Sequence, residues 1–111
     1  MKEPIIIFEG LDTDVFRTLL EAERYLEPID AKCGNNMIFD AEGRVLEAHV
    51  VEDLRGLEKT MIVEREPEKF NKLKLKKGLT IFLRHLNYTE QSIKELNLTE
   101  LVKEVVKFNS I

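Results

Sequence analysis

The period of apolar positions along this chain changes several times, and each change marks an element. Ile5-Ile6-Ile7-Phe8 is continuously apolar and β-branched, which predicts a central strand covered on both faces. Glu9-Gly10-Leu11-Asp12 ends it. Thr18 followed three residues later by Glu21 is a capping box, in which side chains satisfy the orphan donors of a first helical turn. Leu19, Ala22 and Leu26 then recur on one helical face. Pro28 stops that helix, because the residue before a proline is pushed out of the α region. A helix of about two and a half turns must lean on a sheet to persist.

Period two follows. Met37-Ile38-Phe39 and Val45-Leu46 flank Asp40-Ala41-Glu42-Gly43-Arg44, and Asp first with Gly last predicts a type I turn closed by a left-handed residue. The second hairpin strand is predicted from Arg44 to about Val51, with Leu46, Ala48 and Val50 facing one way and Glu47 and His49 the other. Thr60 to Glu66 reads as an edge strand, joined through the charged loop Glu52 to Lys59. From Pro67, which suits a first helical position, the period becomes helical. Leu75, Leu79, Phe82 and Leu86 line one face, joined by Phe70, Leu83 and Leu73, with Gly78 as a point of kinking or breakage. Asn87 ends this helix, Thr89 caps a short one to Leu96, and Thr99 caps a last one through Phe108 with Leu101, Val102, Val105 and Val106 buried. The order β-α-β-β-β followed by helices predicts an α+β fold: an antiparallel sheet of about four strands with two or three C-terminal helices packed on one face.

Composition adds bounds. At 111 residues without repeats or linkers, residues 1–111 are expected to form a single domain. Cys33 is the only cysteine, so no intrachain disulfide forms. Ile5 to Phe8 is too short for a signal-peptide core or a bilayer crossing, so a cytoplasmic location is expected and no membrane partner. The net charge of −4 hides a division: residues 1–66 hold 16 acids against 8 bases, and residues 67–111 hold 5 against 9. Such asymmetry steers encounters with a partner.

Catalytic chemistry finds little to stand on. Cys33 lies beside Lys32, yet neither His49 nor His85 is placed near it as a base. The histidines are 36 positions apart without metal-ligand spacing, and Asp40-Ala41-Glu42-Gly43 lacks the alternating oxygen ligands of a calcium loop. No glycine-rich phosphate loop is present. The expectation is a non-enzymatic protein without cofactor or metal. Lys69, Lys72 and Lys76 share a helix face and offer a nucleic-acid-binding module as an alternative, although that face has lysine without the arginines and aromatics of specific readout. A homo-oligomeric structural protein is a further alternative.

The acidic half favours recognition of a basic protein partner. The hairpin and the charged loop are expected to present Glu42, Glu47, Glu52, Asp53 and Glu58 as its contact residues. In this region Tyr25-Leu26-Glu27-Pro28-Ile29-Asp30, followed by Phe39-Asp40-Ala41-Glu42-Gly43-Arg44-Val45-Leu46, resembles small bacterial proteins of the toxin-immunity type. The resemblance spans about a quarter of the chain. It implies a single-domain inhibitor that neutralises one cognate toxin, often a basic nuclease, and it transfers no individual functional residue.

Overall fold

Ile5–Glu9 forms β1 in the computed structural model, which describes residues 1–10 and 12–109. Around it the chain builds the sheet β2-β1-β3-β4-β5, with every neighbouring pair antiparallel. The strands are β2 (Asp12–Phe16), β3 (Asn36–Phe39), β4 (Val45–Glu52) and β5 (Glu58–Glu64). The helices are α1 (Leu19–Tyr25), α2 (Pro28–Cys33), α3 (Lys72–His85), α4 (Glu90–Lys94) and α5 (Leu98–Asn109). The α+β architecture with C-terminal helices is therefore present, enlarged by one strand and one helix.

The additional strand is β2. Gly10 reverses the chain at φ +58, a left-handed conformation that glycine adopts without a Cβ penalty. Asp12-Thr13-Asp14-Val15-Phe16 then runs back along β1 in the register Ile5↔Phe16 to Glu9↔Asp12. The additional helix is α2. Pro28 does lie beyond the end of α1 at Tyr25, as its constraint on the preceding residue requires, and it then opens α2 at the first helical position.

The continuous apolar run of β1 serves two cores. Ile5 and Ile7 pack with Phe16, Ala22, Leu26, Ile38, Leu46 and Ile62 beneath α1 and α2. Ile6 packs with Val15 and Phe39 against Leu75, Leu79 and Leu83 of α3, Ile93 of α4 and Leu101, Val102 and Val105 of α5. The sheet is thus sandwiched, with the C-terminal helices on one face and α1–α2 on the other. That arrangement makes Ile5, Ile6 and Ile7 fully buried, each such side chain contributing about 1.5–3 kcal/mol.

The β3–β4 hairpin is closed as expected. Gly43 is left-handed at φ +87, and the Asp40 carboxylate accepts from the amides of Glu42 and Arg44, both at 2.9 Å. Asp40 is nevertheless more than a turn residue. It is fully buried, accepts also from the Lys2 amide at 3.0 Å, and pairs with the Arg44 guanidinium at 2.8 Å.

Two helix starts differ from expectation. Helix α3 starts at Lys72 rather than Pro67, because Lys69 and Phe70 pair with the start of β4 (the Val45 amide donates to the Lys69 carbonyl, 2.8 Å). Asn71 is its cap, accepting from the Lys74 amide. Helix α5 is capped by Asn97 instead of Thr99, in a reciprocal box with Glu100 at 2.9 and 3.0 Å. Phe70, Leu73 and Leu86, expected on the buried stripe of α3, are exposed. Gly78 does not break α3: a Cβ there would collide with the Phe8 ring, so glycine lets the helix lie close on β1.

Candidate protein-binding face

Strand alternation disperses the five carboxylates expected to face a partner. Glu47 lies on the same sheet face as α3, hydrogen-bonded to His49 at 3.1 Å and 3.5 Å from the Arg65 guanidinium. Glu52 and Glu58 are cross-strand partners on the opposite face, where Glu58 pairs with Lys32 of α2 at 2.6 Å. Asp53 is spent on the β4–β5 turn, accepting from the amides of Arg55 and Leu57 at 2.8 and 3.0 Å. Glu42 sits in the β3–β4 turn, at the far end of β4, roughly 25 Å away at the usual rise of a strand. Only Glu52 and Glu58 share a surface.

A tighter acidic group forms where β1 turns into β2. Glu9 and Asp12 stand directly opposite each other, an unfavourable like-charge pair. Asp14 follows on the same face, and α2 brings Asp30 over them. Burial pushes the Glu9 carboxyl above its ordinary value, and Asp30, Asp14 and Asp12 push it the same way. Every charged neighbour acting on Glu9 is acidic.

The frame of this group is aromatic. The Tyr25 ring at the end of α1 packs on Phe16 with centroids 4.9 Å apart, and its hydroxyl donates to Asp14 at 3.1 Å. Burial, then the hydrogen bond to Asp14, pushes the phenol up to about 12. Tyr25 remains 45% exposed, and the neighbouring α2 holds Ile29 at 67%. The outer side of α1–α2 also carries exposed Leu20, Glu21 and Glu27, with Arg24 among them. It combines uncovered apolar groups with a surplus of carboxylates.

Glu9-Gly10-Leu11-Asp12, expected only to end a strand, instead connects two paired strands and so brings this group together. The signal was there: Gly10 after an apolar run, then alternation from Asp12 to Phe16, spells a hairpin.

Other chemistry is scattered. Cys33 is exposed at the end of α2, His49 bonds to Glu47, and His85 closes α3. Among the described residues no three metal-binding side chains converge. No described helix is long and apolar enough to cross a membrane. Lys69, Lys72 and Lys76 stand exposed along the start of α3, on the other side of the sheet from the acidic group. No protein-family model, curated protein or solved structure matches this chain.

Proposed function

We propose that this chain is a non-enzymatic binding domain that occludes a basic protein partner, in the manner of an immunity protein neutralising its toxin, through the outer face of α1–α2 and the β1–β2 turn. The observation that carries this reading is the cluster Glu9, Asp12, Asp14 and Asp30, in which Glu9 and Asp12 oppose each other across β1 and β2 and the Glu9 carboxyl is held above its ordinary value by burial and then by Asp30, Asp14 and Asp12. Mutual repulsion within the free protein is relieved when lysines or arginines of a partner enter the cluster, so binding gains what the fold gives up. Exposed Tyr25 and Ile29 supply the apolar anchors that protein interfaces concentrate near their centres. Glu52 and Glu58 extend the same face, whereas Glu42, Glu47 and Asp53 fall outside it.

The resemblance of Tyr25–Asp30 and Phe39–Leu46 to immunity-type proteins gives the partner a place to be sought: the product of the neighbouring gene. Mixing the two purified proteins should give a one-to-one complex on size exclusion and loss of the partner's toxicity in co-expression. Asp12→Asn, Asp14→Asn and Asp30→Asn together should weaken the complex by about a hundredfold, at roughly 1 kcal/mol for each interfacial charge. Absence of a complex, or one indifferent to the three substitutions, would refute the reading.

A further inference from the structure

Helix α3 carries a second surface that neither the core nor the acidic face explains. Its inner side is used up by Leu75, Leu79 and Leu83, all fully buried. Its outer side should then be polar throughout, yet Leu73 is 67% exposed and Ile81 49% exposed. Between them, Lys76, Lys77, Thr80 and Arg84 line the same shallow depression of about 450 Å³. From Lys69 to Thr89 the chain has six lysines and arginines and no carboxylate, although the whole protein is acidic. Arg84 is held by Glu90, but Lys76 and Lys77 have no carboxylate within ion-pair distance among the described residues.

We infer that the outer side of α3 seats the protein on an anionic lipid surface, with Leu73 and Ile81 entering the headgroup region and Lys76 and Lys77 meeting lipid phosphates. Charge complementarity selects the occupant. Lysines on long stems that flank protruding aliphatic side chains are the pattern of a helix lying in a membrane interface. A nucleic acid would satisfy the lysines while leaving Leu73 and Ile81 against its phosphates, and none of the six residues lining the depression is an aromatic for base stacking. The fold also gives the right orientation. Helix α3 and the carboxylates Glu9, Asp12, Asp14 and Asp30 lie on opposite faces of the sheet, so a membrane beneath α3 attracts one face and repels the other. Lying on a bilayer differs from crossing one, and no described helix is built to cross. This inference does not depend on the acidic face having a partner.

Cosedimentation of the whole chain with phosphatidylcholine vesicles, with and without added phosphatidylglycerol, tests it at low and at physiological salt. Binding is expected only to the anionic vesicles and should weaken as salt rises. Lys76→Gln with Lys77→Gln should lower affinity roughly thirtyfold, about fivefold for each lysine. Leu73→Ser with Ile81→Ser should lower it at least about tenfold while leaving circular dichroism and the urea midpoint unchanged. No sedimentation with anionic vesicles at low salt, equal binding to neutral ones, or insensitivity to either double substitution would overturn the inference. So would duplex DNA displacing the vesicles at the same salt.

Discussion

Asp40 is the residue on which most depends for its size. One buried carboxylate accepts from three backbone amides and the Arg44 guanidinium, tying the N-terminus, the β3–β4 turn and the sheet together. Asp40→Ala leaves these donors without an acceptor and should cost about 3 kcal/mol, read as a fall in the urea midpoint at unchanged slope. Tyr25 makes a different prediction. Its phenol ionises near 10 in the unfolded chain and near 12 in the fold, so the native state binds the extra proton between those values. Stability from Tyr25 is intact below pH 10 and drains away as pH climbs towards 12. Ultraviolet titration should show a tyrosine ionising at about 12, returned towards its ordinary value by Asp14→Asn. Glu9 follows the same sign at the acid end. Its pKa is raised in the fold, so the ionised form burdens the native state at neutral pH and is relieved as pH falls through the carboxylate range. Asp30→Asn should therefore raise the urea midpoint at neutral pH, with the gain shrinking as the solution is acidified. An equal gain at both pH values would show that repulsion is not its source.

At the scale of elements, legibility followed how local the determining forces are. The Thr18 cap, the Asp40–Gly43 turn and the stop at Asn87, where the structure turns left-handed, are readable because each is decided within four residues. The start of α3 was not, since Lys69 and Phe70 pair with β4, some 25 positions away. Strand β2 is hidden because Asp12 and Asp14, on the same face as Phe16, are poor strand formers held in place by Val15 and Phe16 burying in opposite cores. The two-sided burial of β1 was foreseen from its unbroken apolar run; that α1–α2 supply one of the covers was not. Gly78 shows the same limit. Its cost to a helix is a sequence property, while its benefit is contact with Phe8, 70 positions earlier. Gly78→Ala should destabilise the protein by about 1–3 kcal/mol in chemical denaturation despite alanine's better helix propensity, because the added methyl meets the ring. A stabilised variant would mean that Phe8 moves aside freely.

For the whole molecule, the charge division visible in the sequence becomes a division in space. Half of the excess acid of residues 1–66 falls between residues 5 and 33, which hold 7 acids against 3 bases, and the uncompensated lysines of α3 lie across the sheet from it. The candidate site is legible in the sequence only as an acidic N-terminal half, because the pairing that gathers Glu9, Asp12, Asp14 and Asp30 depends on β2, whose aspartates hide the strand. A molecule polarised in this way should orient as it approaches a basic partner, so its acidic face should govern the association rate more than dissociation. Stopped-flow association with the neighbouring gene's product, over a range of salt, tests this most directly. The account predicts an association rate that falls steeply with salt, and a drop of about tenfold or more at low salt in the Asp12→Asn, Asp14→Asn, Asp30→Asn variant. A rate indifferent to salt and unchanged in that variant would contradict it.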